Sequence, residues 1–145
     1  MMPDTIRLKK LKRQWTQRMI DCLVLGDSIA VGVGSVSHQC QTIAKVGINS
    51  KNFVVSHKHI PRANTTIISL GSNDGNADFS KYLKELRSKI SGKVVWILSA
   101  NNVRAKNLAL NIARQNGDNV VYLSSFATND GVHPKNYSIV AKKVF

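Results

Sequence analysis

Three short segments of the chain carry residue types that could do chemistry together. Gly26-Asp27-Ser28 offers a hydroxyl nucleophile, and Gly71-Ser72-Asn73-Asp74 offers a side-chain amide. Asp130-Gly131-Val132-His133-Pro134 offers an imidazole with a carboxylate three residues before it. A serine hydroxyl is a weak nucleophile at its ordinary pKa and needs a base within hydrogen-bond reach, a part that His133 could play. Asp130, on the same turn, could hold the imidazole in one tautomer and stabilise the imidazolium. Asn73 could direct an amide N–H at the oxyanion formed when a carbonyl is attacked. Each segment alone is also the material of an ordinary turn or helix cap. Taken together, they predict acyl transfer.

Such residues act only if the fold brings them to one place. From Asp21 onward, short apolar runs alternate with longer amphipathic or polar stretches, the pattern of a parallel sheet with helical crossovers. Strands are expected at Cys22 to Leu25, Thr42 to Val46 (the weakest), Thr66 to Leu70, Val94 to Leu98 and Val120 to Leu123. A helix should begin directly after Ser28, whose place at a helix N-terminus would leave backbone N–H groups free for an oxyanion. Phe79, Leu83, Leu86 and Ile90 recur at spacings of three or four and mark a second helix that Gly92 can close. Val103 to Gln115 marks another, stopped by Asn116-Gly117, and Tyr137 to Phe145 a short last one that Pro134 should start. All three segments then fall at carboxyl ends of strands, where ligands gather in open parallel sheets.

The order and wording of these segments resemble the SGNH family, also called GDSL lipases and esterases. Gly26-Asp27-Ser28 with Ile29 and Gly32 is similar to its nucleophile block, Gly71-Ser72-Asn73-Asp74 to its Gly-x-Asn-Asp block, and Asp130 to Pro134 to its Asp-x-x-His block. Gly47 matches the lone glycine of the remaining block. The resemblance implies a catalytic triad of Ser28, Asp130 and His133. It also implies an oxyanion hole made by the backbone N–H groups of Ser28 and Gly47 with the Asn73 side chain. The implied fold is a three-layer α/β/α sandwich with a five-stranded parallel sheet, the flavodoxin-like SGNH hydrolase fold. The implied reaction is that of a carboxylic ester hydrolase, with no cofactor and no metal needed. Against that family the chain is short, with abbreviated connections around Ile48 to Arg62 and a clipped last helix, which predicts reduced substrate-binding loops and a shallow, open site.

Residues 1–20 read as a basic amphipathic extension, and residues 21–145 as the SGNH-hydrolase-like domain. In the extension Leu8, Leu11, Trp15 and Met19 lie at near-helical spacing among lysines and arginines. That segment could pack on the domain, or lie on an anionic membrane or nucleic acid. The whole chain has 145 residues, 43% of them hydrophobic, enough for one core without a linker. Its 21 Lys and Arg against 8 Asp and Glu give a formal net charge of +13. Such a field draws anionic partners, whether acidic polymer, lipid headgroup, nucleic acid or virion component.

This charge leaves two functional readings open. One is an esterase removing a small acyl group, such as acetyl, from a carbohydrate, cell-wall polymer or lipid. The other is an SGNH-like binding or structural module with a vestigial site. Cys22 and Cys40, the only cysteines, are too few for a disulfide framework and are expected as buried free thiols. His38 with Cys40, and His57 with His59, fit no standard zinc spacing. No apolar run approaches the roughly 20 residues of a membrane span, and no signal-like segment opens the chain. A cytoplasmic or virion-associated protein is the expectation.

Overall fold

The structure, a computed structural model, describes residues 19–145. The basic amphipathic helix expected in the N-terminal extension lies outside the described residues. Five strands, β1 (Ile20–Gly26), β2 (Cys40–Ala44), β3 (Ala63–Ser69), β4 (Lys93–Leu98) and β5 (Asn119–Tyr122), form one sheet. All pairings are parallel and the order is β2-β1-β3-β4-β5. Five helices alternate with them: α1 (Ser28–Ser35), α2 (Ser50–Ser56), α3 (Ser80–Ser88), α4 (Val103–Asn116) and α5 (Tyr137–Val144). The expected α/β/α sandwich with a five-stranded parallel sheet is thus the fold observed.

Each central strand is apolar on both sides because helices cover both faces. On one face Leu23, Leu25, Ile68, Trp96 and Leu98 pack against Phe53 and Val54 of α2, Leu83 and Leu86 of α3, and Ile112 of α4. On the other, Val24, Ile67, Val95 and Ile97 meet Ile29 and Val33 of α1 with Val140 and Val144 of α5. The second face therefore holds the two helices that start at or just after the candidate residues Ser28 and His133.

Three local expectations are corrected. The stretch from Ile48 to Arg62 contains α2, capped by Asn49, whose Oδ1 accepts from the Asn52 N–H at 2.7 Å. Only Phe53 and Val54 of this short helix are large and buried, too few to produce a readable apolar period. Pro134 does not open the last helix. It forms an antiparallel bridge with Thr128, and Asn136 caps α5 instead.

The third correction concerns the cysteines, which are joined as a Cys22–Cys40 disulfide rather than held as free thiols. Cys22 and Cys40 are register partners on the parallel neighbours β1 and β2, with Cα atoms 4.5 Å apart, within bridging reach. A strand pairing of that kind is invisible in the spacing of two cysteines along a chain.

Candidate active site

The chain order β2-β1-β3 makes β1 the point where the winding of the sheet reverses, and the crevice at that point is the usual ligand site of this topology. Gly26 ends β1 there. Its φ of +140° suits glycine, and a Cβ at this position would lie 1.8 Å from the Ser69 carbonyl oxygen on β3. The close approach lets the Asp27 N–H donate to Ser69 O at 3.0 Å and the Ser69 hydroxyl donate to Asp27 Oδ1 at 3.2 Å. Asp27 then caps α1 through the Ile29 N–H at 3.0 Å, which leaves Ser28 as the first helical residue. The Ser28 N–H has no acceptor among the described residues, as expected for a first-turn amide.

Asp27 is fully buried, and its Oδ2 has no partner among the described residues. Burial pushes its carboxyl up to about 6, against the opposing pull of the Ile29 N–H and the Ser69 hydroxyl.

Ser28 Oγ lies 2.8 Å from His133 Nε2, and His133 Nδ1 lies 2.6 Å from Asp130 Oδ2. The other Asp130 oxygen accepts the backbone N–H groups of His133 at 2.7 Å and Val132 at 2.9 Å. These bonds, the His133 N–H first, then the His133 ring and the Val132 N–H, hold the Asp130 carboxyl well below the usual carboxylate range. Asp130 is therefore an anion at any working pH. The loop that carries the pair is closed at its base by the Thr128–Pro134 bridge and by Lys135 N–H donating to Ala127 O at 2.9 Å. The Thr128 hydroxyl also receives the Gly131 N–H at 3.1 Å. The side chains of His133 and Asp130 are 44% and 51% exposed, so the site is open, as the short connections suggested.

The two remaining candidate donors belong to loops tied to each other. Gly47, three residues beyond β2, has φ +80° and open space around it, and its N–H has no acceptor among the described residues. Asn73 Nδ2 donates to the carbonyl of the next residue, Ile48, at 3.1 Å, which uses one of its two N–H groups. Beside it the buried Asp74 accepts both the Ser50 N–H (2.8 Å) and the Ser50 hydroxyl (2.6 Å), joining the β3 loop to the start of α2.

On the other side Asn102, the cap of α4, donates from Nδ2 to Gly71 O (3.1 Å) and Gly75 O (2.9 Å). Asn101 donates to Ser72 O at 3.2 Å. Ser50, Asn101, Asn102 and Thr128 were not among the residues singled out in the sequence. Asn101 and Asn102 follow a strand and precede a helix, which signals a cap, but nothing in the chain indicates that their amides serve the β3 loop.

The structure thus brings Ser28, His133 and Asp130 into one hydrogen-bonded line, and Gly47 and Asn73 into one braced pair of loops. Cys40 has its sulfur in the disulfide, and no group of three metal-ligating side chains occurs among the described residues.

No model of a protein family matches the chain, and no curated protein matches it. Solved structures do match. The crystal structure of a Bacteroides fragilis protein provisionally named an acylhydrolase superposes with a TM-score of 0.61. The match covers 92% of this chain and 90% of that one at 17% sequence identity. At that identity the likeness is one of fold.

Proposed function

We propose that the chain is a serine ester hydrolase of the SGNH type, with Ser28 as nucleophile, His133 as general base and Asp130 as its orienting carboxylate. The observation that carries this reading is the unbroken line from Ser28 Oγ through His133 to Asp130, with contacts of 2.8 and 2.6 Å. Ser28 Oγ attacks an ester carbonyl while His133 Nε2 takes its proton. The resulting oxyanion is received by the N–H groups of Ser28 and Gly47 and by the second N–H of Asn73 Nδ2. Collapse expels the alcohol, which takes the proton back from His133. Water, activated by the same imidazole, then releases the acid and frees Ser28.

Two features support this assignment of the donors. The Ser28 and Gly47 N–H groups have no other acceptor among the described residues, and the Asn73 amide keeps one hydrogen uncommitted. The open site and the net charge of +13 favour a small acyl group on a large or anionic carrier, such as an acylated glycan, cell-wall polymer or lipid.

Labelling with a fluorophosphonate tests the nucleophile: the wild type is expected to be tagged at Ser28, and Ser28→Ala to remain unlabelled. Hydrolysis of p-nitrophenyl acetate should be lost with it. Asn73→Ala should lower kcat/KM on that ester by about a hundredfold to a thousandfold, the usual effect of losing one oxyanion donor. Wild-type protein that is folded yet neither labelled nor active would end the reading.

A further inference from the structure

We propose that the cleft beside Gly47 is a subsite for an anionic group, a carboxylate or phosphate, carried by the ester. This rests on the serine-hydrolase reading for its role in turnover, but the binding itself does not. The cleft has a volume of about 460 Å³ and shares Gly47 with the proposed oxyanion hole. Its polar wall is made by Lys45, Asn52, Ser56 and His57. Lys45 stands next to the nucleophile segment, because its backbone N–H donates to Gly26 O at 2.9 Å, two residues before Ser28. The His57 ring packs against the buried Phe53 with centroids 4.7 Å apart.

The charge pattern selects the ligand. No Asp or Glu occurs anywhere between Asp27 and Asp74, while Lys45, Lys51, Lys58 and Arg62 all fall in that stretch. The two carboxylates that bound it are buried, Asp27 at the start of α1 and Asp74 against Ser50. Glu85 faces Lys58 at 3.9 Å. Lys45 has no carboxylate within 4.0 Å among the described residues. A cation with no counter-charge, flanked by amide, hydroxyl and imidazole groups that can donate hydrogen bonds, suits an anion and disfavours a cation. Because Gly47 lines both this cleft and the proposed oxyanion hole, an anion bound here would neighbour the carbonyl under attack on that reading, on whichever half of the ester reaches the cleft.

Binding and turnover are tested separately. Succinate and inorganic phosphate, each titrated into the protein at low ionic strength, should shift the backbone amide resonances of Lys45, Gly47 and Asn52 saturably. Glycerol should not. In Lys45→Gln the affinity should fall about tenfold, the effect expected when a charged hydrogen-bond partner is removed. Absence of shifts, or equal affinity in Lys45→Gln, overturns the proposal.

The kinetic arm compares phenyl acetate with phenyl hemisuccinate, whose carboxylate is on the acyl half, and with 4-acetoxybenzoate, whose carboxylate is on the alcohol half. One of the anionic esters should gain about tenfold in kcat/KM over phenyl acetate and lose that gain in Lys45→Gln, while phenyl acetate itself is unaffected. The favoured ester identifies the half that enters the cleft. Equal rates for all three esters, or an equal fall on all three in Lys45→Gln, counts against the subsite. If no ester is hydrolysed, the serine-hydrolase reading falls, and the resonance shifts still decide whether the cleft binds anions.

Discussion

Asp27 caps the helix that presents Ser28, yet it does so fully buried and with one oxygen unpartnered. That combination has a sign. In the unfolded chain the carboxyl titrates near its ordinary value of 3.8, and in the fold near 6. Between those values the folded state still holds a proton that the unfolded state has released. The favourable contribution is therefore complete below about pH 4 and is lost as the pH rises through 6, a change of at most about 3 kcal/mol. Asp27→Asn keeps an Oδ1 acceptor for the Ile29 N–H and removes the titration. Relative to wild type, the variant should gain stability in urea unfolding between pH 4 and pH 7. A wild-type-to-variant difference that stays constant across that range would contradict the assignment.

The helices that flank the site are set by close packing as much as by their caps. On α1, Gly32 faces Tyr137 at the start of α5, and a Cβ at Gly32 would lie 2.2 Å from the aromatic ring. Tyr137 is four residues beyond His133 in the chain, so displacing its ring is expected to disturb the loop that holds the imidazole. Gly32→Ala should cost about 1 to 3 kcal/mol by overpacking. On the proposed serine-hydrolase reading it should also lower kcat/KM on p-nitrophenyl acetate without touching a reacting group, a loss to be read beside urea melts. Unchanged stability and unchanged rate would mean that α5 adjusts freely. The same dependence on neighbours explains why α2 was missed in the sequence while α4 was not. The long α4 buries Ala105, Ala109 and Ile112 in a readable stripe, whereas α2 offers one pair of large buried residues.

Across the molecule the disulfide links the edge strand β2 to its inner neighbour β1. This matters because β2 is mostly exposed or half-buried, and it carries Lys45 and Gly47 just beyond its end. A bond closing a sequence separation of 18 residues should contribute about 3 kcal/mol by restricting the unfolded chain. The double variant Cys22→Ala/Cys40→Ala should lose about that much in denaturant unfolding, and unreduced wild-type protein should present no free thiol after denaturation. Detection of two thiols per chain in unreduced protein would refute the pairing. Another long-range tie works alongside it. Arg87 of α3 grips Asp118 at the head of β5 with two bonds of 2.7 and 2.9 Å, and Trp96 Nε1 donates to the same carboxylate at 3.0 Å.

Fold class was legible in the chain because parallel strands buried on both faces must be short and continuously apolar, as Cys22 to Leu25 and Val94 to Leu98 are. The pairing of Asp130 with His133 was legible for a related reason: the two sit on one turn, and a spacing of three residues allows the observed 2.6 Å contact. Contacts between distant segments were not legible. The 2.8 Å approach of Ser28 to His133, the pairing of Cys22 with Cys40, the bracing of the Asn73 loop by Ser50 and Asn102, and the cleft beside Gly47 all depend on which strands adjoin. Local sequence determines which residues can form a strand, a cap or a turn. Only the packed sheet, through the order β2-β1-β3, decides which of those turns meet.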